Sequence, residues 1–419
     1  MMSHCAGSYE EKLRRMDQCS KLQKVDRVPI GVNLLYFPAK YAGVTYEEMF
    51  YDQDKFIAAS TKFARDFDWD AAGIIRTFET VPLGLAVAGT DAPTAINVAL
   101  ASIAGGGFAH DILKDLYSSH PGRELPADVE SQFKIKKPLM SAEEYDEMID
   151  DPFGFINEKI VPRAYGALSS PGSGEATTAL INLGMQLKPA LDGAVKYTQE
   201  MRAAGTPPYY FSACPNPLDA LGAFFRDFDQ VIMDIHRIPQ KVKKVCEAFM
   251  PVLLAVGKMT GDLSYQLTGS RRVFCPVWYN SFLSNREYRE FQWPYLKWII
   301  EELIKDDYTP LLSLQGSHDH LLDTLLELPE GKAIAWLDRT DLSKAKSVIG
   351  EHMCIAGGPS PAILIGSTPQ EVDARVKALL AEMMSCRGFI FSLPFNCLGP
   401  ANAENVIAMT EAVRKYGVY

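Results

Sequence analysis

The feature that most constrains this sequence is a repeated unit, in which a continuous apolar stretch is followed by a polar loop and an amphipathic helix. The apolar stretches do not alternate with polar residues, as strands with one solvent-exposed face do. Continuous stretches are typical of strands buried on both faces of a parallel sheet. We count eight of them, at residues 28–35, 71–78, 207–217, 271–280, 308–314, 333–341, 353–361 and 388–397.

Eight strand–helix units predict an α/β protein with a closed (β/α)8 barrel, the TIM barrel, rather than an open doubly wound sheet. The first strand is not followed by the GxGxxG run that is typical of many open sheets. A chain of 419 residues suits one barrel with insertions as well as it suits two or three smaller domains. We expect an N-terminal helical segment at residues 1–27 and a barrel over residues 28–419.

The repeat is interrupted after the second strand, between residues 81 and 205. This distance is far longer than an ordinary connection between a strand and a helix. The segment contains helical patterns at residues 141–148 and 180–202, and a Ser- and Gly-rich run at 169–176. We expect a helical insertion that covers the mouth of the barrel. A separate small domain is the alternative, and the sequence does not decide between them.

Composition excludes several classes of function. With 47% apolar and 22% charged residues, the chain has the composition of a soluble globular protein. A net charge of -10 disfavours an extended nucleic-acid surface. The most apolar segment, residues 81–108, is interrupted by Pro82, Asp91 and Pro93, so we expect no membrane span. The eight cysteines form no CxxC pair, which indicates reduced thiols and a cytoplasmic location.

The carboxyl ends of the predicted strands indicate where a functional site lies, because TIM barrels hold their reactive groups there. The residues at these ends are polar and aromatic with few net charges, as suits a partly apolar organic ligand. We expect the substrate-binding residues to be Asn33, Tyr36, Arg76, Glu79, Asn216, Trp278, Tyr279, Gln315, Asp338 and Asn396. Structural alternatives are an ion pair between Arg76 and Glu79, and closure of the core by the aromatic pair Trp278 and Tyr279.

The stretch from residue 308 to residue 326 contains two of the seven histidines. Gly316 allows the backbone to turn after the strand, and Ser317 is predicted to cap a helix with a leucine-rich face. His318 and His320 therefore lie at the carboxyl end of a strand. We predict that these two histidines are catalytic.

His318, His320 and Cys397 form the set of soft metal ligands that the strand order brings together. Imidazole with thiolate is a combination that zinc favours, so we predict a zinc site at these three residues. The ligands lack the close spacing of specific zinc motifs. The alternative is that one histidine packs at the helix start and that Cys397 is a buried apolar thiol.

Several segments resemble the uroporphyrinogen decarboxylase superfamily, in particular its branch of cobalamin-linked methyltransferases. Those after residue 310 are LELPEGK, LDRTDLSKAKSVIGEHMCIAGGPSPAIL, GSTPQEV, RGFIFS and NAENVIAMTEAVRKYGVY. Earlier ones are EEKLRRMDQCSKLQKVDRVPIG and SFLSNREYREFQWPYLKWIIEELI. The resemblance implies a (β/α)8 barrel and transfer of a methyl group between a small methylated compound, such as a methyl ether or methylamine, and a corrinoid.

The sequence departs from this family at two places. The decarboxylases carry an arginine-rich segment after the first strand, whereas NLLYFPAKYAG here contains no arginine, so decarboxylation of uroporphyrinogen is disfavoured. The thiol-acceptor methyltransferases hold zinc through His-x-Cys at the fifth strand and a later Cys. Cys397 matches the later ligand, but Ser313 and Gln315 stand at the first two positions, and His318 and His320 are the hypothetical replacements.

The resemblance also implies the partners. The chain has no recognisable corrinoid-binding module, so the corrinoid is expected on a separate partner protein. We expect no nucleic acid and no membrane, with the oligomeric state open and a homodimer among the options. A lyase that acts on a porphyrinoid and a non-catalytic binding barrel are the alternative functions.

Overall fold

The computed structural model describes residues 8–73, 79–91, 93–95, 97–98, 106–133, 137–395 and 398–419. The strands in these ranges are short and most are fully buried. In chain order they are β1 Gly31–Asn33, β2 Ala71–Gly73, β3 Ser118–Ser119, β4 Gln132–Phe133, β5 Arg272–Val277, β6 Thr309–Leu314, β7 Ile334–Leu337, β8 Cys354–Gly357 and β9 Phe389–Phe391.

The strands form an α/β fold with parallel pairing. β5 to β9 make one parallel sheet in sequence order, and β1 pairs in parallel with β2. Isolated parallel bridges extend this pairing from Ile30 to Phe391, from Ala72 to the segment at residue 208, and from the segment at residue 213 to Phe274. β3 and β4 are a separate antiparallel pair inside the predicted insertion.

The segment 207–217 was predicted to be a strand, and this prediction was wrong, since it contains isolated bridges only. Its backbone bonds to strands on both sides: Tyr209 N donates to Ala72 O at 3.1 Å, and Cys214 N donates to Phe274 O at 2.8 Å. Pro208 has no N–H to continue a ladder of hydrogen bonds. The segment therefore lies between β2 and β5 without regular strand geometry.

Helices surround the parallel strands. The α-helices are Tyr9–Ser20, Phe37–Ala42, Tyr46–Tyr51, Gln53–Phe67, Val81–Ala88, Phe108–Leu113, Tyr145–Asp150, Pro152–Phe155, Val161–Ala164, Gly174–Ala203, Pro217–Leu221, Phe228–Arg237, Pro239–Thr268, Asn285–Glu287, Trp293–Lys305, Leu342–Ile349, Ala362–Gly366, Pro369–Met383 and Ala403–Tyr416. Short 3-10 turns occur at Ala142–Glu144, Gly166–Leu168, Tyr279–Ser281 and Leu322–Glu327, and π turns at Ile156–Ile160, Gly222–Arg226 and Tyr288–Gln292.

Residues 46–67 form two helices, because the Asp52 carboxylate accepts hydrogen bonds from the backbone of Asp54 and Lys55 and starts the second one. One predicted helix start differs from that observed. Ser317 does not cap an α-helix: its hydroxyl accepts from Asp319 N, and a 3-10 helix begins only at Leu322. The last helix, Ala403–Tyr416, ends directly before residue 417.

The longest helix of the predicted insertion, Gly174–Ala203, begins where the Ser173 hydroxyl accepts a hydrogen bond from Ala176 N. It packs against the helices Gln53–Phe67 and Pro239–Thr268. The boundaries predicted for the insertion stay a prediction. Within the described ranges, no helix combines the length and the apolar character needed to cross a bilayer.

A buried carboxylate joins the amino ends of β1 and β2. Asp70, directly before β2, accepts from Arg15 at 2.6 Å, from Arg27 at 3.0 Å and from Ile30 N at 2.9 Å. Asp70 has no exposed surface, and its two arginine partners are largely buried. These contacts fix the two strands relative to each other, and so they fix the loops that leave the opposite ends of the strands.

Candidate functional site

The loop after β1 presents Tyr36, one of the predicted substrate-binding residues. Its hydroxyl lies 2.5 Å from Ser131 Oγ and accepts from Ser131 N at 3.2 Å. Asn33, at the end of β1, accepts a hydrogen bond from the Tyr210 hydroxyl at 2.8 Å. Both predicted residues are buried rather than exposed to solvent.

Glu79 joins the same network from the loop beyond β2. Its carboxylate Oε1 lies 2.7 Å from His120 Nε2, and the other ring nitrogen of His120 lies 2.9 Å from Ser131 Oγ. The backbone oxygen of Glu79 accepts from the hydroxyls of Tyr117 and Tyr165. Four side chains therefore form one continuous path, which we call the polar chain: Tyr36, Ser131, His120 and Glu79.

A second histidine lies beside the polar chain. His110 Nδ1 bonds to the carboxylate of Asp115, and His110 Nε2 lies 3.1 Å from Glu124 Oε1. Burial lowers the pKa of His110, but the hydrogen bonds and charges of Asp115 and Glu124 outweigh burial and raise this pKa to about 9. His110 is therefore a cation at neutral pH when only protons are bound.

His110, Asp115 and His120 make a compact group, which we call the histidine cluster. One ligand atom from each of the three residues lies within 4.8 Å of the others, and all three residues are buried. The Ser118 hydroxyl lies 2.7 Å from His120 Nε2 and donates to Asp115 Oδ2. The Phe50 ring stacks on His120 with ring centroids 4.6 Å apart, which closes the cluster on one side.

The antiparallel pair of β3 and β4 brings these residues together. Ser119 pairs with Gln132, so His120 and Ser131 come to lie side by side. The preceding helix ends at Lys114, whose φ of 52° turns the chain back toward β3. A chain reversal and a two-residue ladder thus set the geometry of the cluster.

A separate group of predicted substrate-binding residues surrounds Asp219. This buried carboxylate accepts from Trp278 N at 3.1 Å, from Tyr279 N at 3.2 Å and from the side chains of Asn216 and Gln292. Burial raises the pKa of Asp219 to about 7, against the lowering effect of these four donors. The structure brings Asn216, Trp278 and Tyr279 together, and their observed contacts hold the end of β5 in place.

The observed contacts of His318 and His320 are with neighbouring protein groups. His318 is fully buried beside the ring of Tyr288, its Nδ1 lies 3.3 Å from Asn280 Nδ2, and burial lowers its pKa to about 3. Within the described residues, His318 Nε2 has no hydrogen-bond partner. His320 is exposed, and its Nε2 lies 3.1 Å from Leu283 O. Their catalytic role stays a prediction.

The remaining predicted residues are partly described. Gln315 and Asp338 are half-buried, and Asp338 accepts a hydrogen bond from Gly316 N at 2.8 Å. Arg76, Asn396 and Cys397 lie outside the described residues. The predicted zinc set of His318, His320 and Cys397 therefore stays a prediction as well.

The zinc pair of the thiol-acceptor methyltransferases does not fit this chain. Ser313 is buried in β6, and Gln315 follows the strand with its backbone bonded to Val277. A neutral hydroxyl and an amide are poor zinc ligands compared with imidazole and thiolate. A zinc ion cannot be held at these two positions in the way that the resemblance implies.

The sequence interpretation named Tyr36 and Glu79 as candidates, and it did not name the histidine cluster between them. A signal was present, because His110, Asp115, His120 and Glu124 follow one another at intervals of four or five residues. This spacing matches no specific metal motif. The four residues also lie in the segment that was interpreted as a cover for the barrel.

Comparison with known proteins gives the family. The family described as "Uroporphyrinogen decarboxylase (URO-D)" matches residues 200–416. The uroporphyrinogen decarboxylase of Geobacter sulfurreducens is 31% identical over 135 residues, which cover 32% of this chain and 38% of that protein. The enzyme of the same name from Chlorobium phaeovibrioides is 27% identical over 143 residues, or 32% of this chain and 39% of that one. The matches thus span less than half the length of these relatives.

A solved structure extends the likeness to the whole chain. It is described as a methyltransferase from Methanosarcina mazei, has a TM-score of 0.62 at 11% identity, and covers 97% of this chain and 98% of its own. At that identity the likeness shows a shared fold. Since the family match at residues 200–416 is longer than half of the 419 residues, the chain belongs to the uroporphyrinogen decarboxylase (URO-D) family.

Proposed function

We propose that this protein is a methyltransferase that moves a methyl group between a small methylated compound, such as a methyl ether or a methylamine, and a corrinoid carried by a partner protein. The reduced corrinoid, when bound, supplies a strong nucleophile for the methyl group. The task of this chain is then to make the departing oxygen, nitrogen or sulfur a better leaving group. A positioned proton donor does this.

The observation that carries the proposal is the polar chain. The Tyr36 hydroxyl follows the carboxyl end of β1, where barrel enzymes hold reactive groups. A proton that Tyr36 gives to a leaving group can be replaced through Ser131 from His120. The Glu79 carboxylate, at 2.7 Å from His120 Nε2, orients the imidazole.

The charges near β1 disfavour a polycarboxylate substrate. The segment after β1 contains Lys40 and no arginine, and the Lys40 ammonium donates to Ala401 O at 2.9 Å and to Pro400 O at 3.2 Å. The polar chain contains the Glu79 carboxylate and the Asp115 carboxylate lies in the neighbouring histidine cluster, with both residues buried. A tetrapyrrole with several carboxylates would be repelled there, whereas a neutral or cationic methylated compound would not.

The proposal includes a closed (β/α)8 barrel with residues 81–205 as an insertion over its mouth. The three isolated parallel bridges support closure, because they connect β9 to the start of β1, and β2 through residues 208–213 to β5. The cytoplasm is the proposed location. Six buried free cysteines support a reducing compartment: Cys19, Cys214, Cys246, Cys275, Cys354 and Cys386.

The test mixes the protein with a reduced corrinoid protein and a panel of methyl ethers, methylamines and methyl thioethers. We expect one class of compound to change the absorption spectrum of the cobalt, and only when the protein is present. His318→Ala and His320→Ala are measured in the same assay to test their predicted catalytic role. A parallel incubation with uroporphyrinogen measures released carbon dioxide.

The outcomes separate the alternatives. Carbon dioxide release without methyl transfer would establish a lyase and refute the proposal. If neither methyl transfer nor carbon dioxide release is observed and the protein still binds a ligand, the protein is a non-catalytic binding barrel.

A further inference from the structure

We propose that the histidine cluster binds one divalent transition-metal ion, zinc in the first place, through His110, Asp115 and His120, with Glu79 as a fourth donor. The site lies in the segment between β2 and β5 and shares no residue with the predicted zinc set at His318, His320 and Cys397. His120 and Glu79 also belong to the polar chain, but the inference concerns metal binding, which is measured without methyl transfer.

The distances suit a small ion. One ligand atom from each of the three residues lies within 4.8 Å of the others. Zinc bonds to nitrogen and carboxylate oxygen of about 2.1 Å place tetrahedral ligand atoms about 3.4 Å apart, and never more than about 4.2 Å. Relative side-chain shifts of up to about 1.4 Å bring these atoms to tetrahedral separations. Glu79 Oε1 lies 2.7 Å from His120 Nε2 but outside the group of three, so a rotation of its side chain is needed for Glu79 to become the fourth ligand.

Both imidazoles are already oriented as metal ligands are. His110 Nε2 lies 3.1 Å from the Glu124 carboxylate, and His120 Nδ1 lies 2.9 Å from Ser131 Oγ. Histidine ligands commonly use their second nitrogen as a donor to such a partner, which fixes the ring and its tautomer. The nitrogens left for an ion are His110 Nδ1 and His120 Nε2.

These two nitrogens each face a carboxylate. His110 Nδ1 contacts Asp115, and His120 Nε2 contacts Glu79. His120 Nε2 also lies 2.7 Å from the Ser118 hydroxyl. A divalent ion that binds His110 Nδ1 takes the place of the proton that this nitrogen shares with Asp115, and that proton is released to solvent.

The donor types decide the metal class. Two imidazoles with one or two carboxylates suit zinc and its neighbours among divalent transition metals, whereas Mg²⁺ and Ca²⁺ prefer all-oxygen sites. The proposed set contains no thiolate. A bound ion therefore differs spectroscopically from one held by Cys397.

The experiment titrates zinc into the full chain after treatment with a chelator, with stoichiometry measured by equilibrium dialysis and proton release measured in weak buffer. We expect one ion per chain and release of protons near neutral pH. Cobalt(II) then replaces zinc as an optical probe. It should give visible bands of nitrogen and oxygen ligation, without the near-ultraviolet band of a cobalt–thiolate bond.

Variants assign the ligands. His110→Ala and His120→Ala should weaken zinc binding at least 100-fold, and Glu124→Gln, which keeps the shape of the side chain, about 10-fold to 100-fold through the orientation of His110. Asp115→Asn tests the carboxylate with little change in volume. The matched control is His236→Ala, an exposed histidine paired with Glu287 at 3.3 Å, which should bind zinc as the parent does.

Three results would overturn the proposal. The first is no zinc binding by the parent chain at 100-fold excess over protein. The second is zinc binding that Asp115→Asn and Glu124→Gln leave unchanged while both remain folded by circular dichroism. The third is a cobalt–thiolate band in the parent chain together with loss of the ion in His318→Ala. Both observations would place the ion at His318, His320 and Cys397.

Discussion

His120 Nε2 lies 2.7 Å from Glu79 Oε1, although the two residues are separated by a long excursion of the chain. Glu79 follows β2, and His120 follows β3 in the predicted insertion. Both side chains are almost completely buried. The pair therefore connects the loop after β2 to the antiparallel pair of β3 and β4, and a substitution at either residue should affect the packing of both segments.

Tyr36→Phe should slow methyl transfer about 100-fold, because it removes the hydroxyl that ends the polar chain. The loss should be greater for methyl compounds with poor leaving groups, which depend most on a proton donor, than for aryl ethers. The Michaelis constant should change little. Steady-state rates with an alkyl and an aryl methyl ether check this prediction.

Tyr46→Phe is the matched control for this change. The Tyr46 ring lies 4.7 Å from the Tyr36 ring, but its hydroxyl donates to Gly399 O at 3.3 Å and does not join the polar chain. Its rate should stay close to that of the parent. Equal losses in the two variants would show that aromatic packing, rather than proton donation, explains the effect.

Asp70→Asn should destabilise the fold by about 3 kcal/mol, because it leaves the charges of Arg15 and Arg27 without their buried partner. The control is Asp54→Asn, since Asp54 pairs with Lys196 at 2.7 Å with both side chains more than half exposed. That substitution should cost less than about 1 kcal/mol. Urea unfolding of the three proteins measures both values, and similar losses would contradict the role given to Asp70.

The sequence located the parallel strands well where a strand is a continuous apolar run. β5 to β9 all lie inside the predicted stretches. Prediction failed at residues 207–217, where the composition is apolar and aromatic but Pro208 interrupts the ladder. Periodicity describes which residues are buried, and it does not describe whether each backbone N–H finds a partner.

The sequence named part of the candidate site. Tyr36 and Glu79 were named because strand ends can be read from the sequence, and TIM barrels hold their reactive groups at the carboxyl ends of their strands. His110, Asp115 and His120 were missed because two-residue strands bring them together, and strands this short leave no pattern. Which residues such short strands bring into contact depends on how the surrounding side chains pack, and the sequence pattern does not show this.

Asp219 should make stability depend on pH. Its pKa in the folded protein is about 7, above the ordinary value of 3.8, chiefly because of burial. Between these two values the folded state holds a proton that the unfolded chain has lost, so the free energy of unfolding should fall as pH rises through this window. The contribution is on the order of 4 kcal/mol, and it should level off above pH 7.

Asp219→Asn tests this dependence, because the amide does not titrate. The variant loses an acceptor for Trp278 N or Gln292 Nε2 and should be less stable than the parent at pH 5. The difference between the two proteins should shrink by pH 8, since only the parent loses stability through the window. Urea unfolding at intervals between pH 5 and pH 8 gives the comparison. Parallel curves for the two proteins would mean that Asp219 keeps its charge when buried, with the four surrounding donors outweighing desolvation.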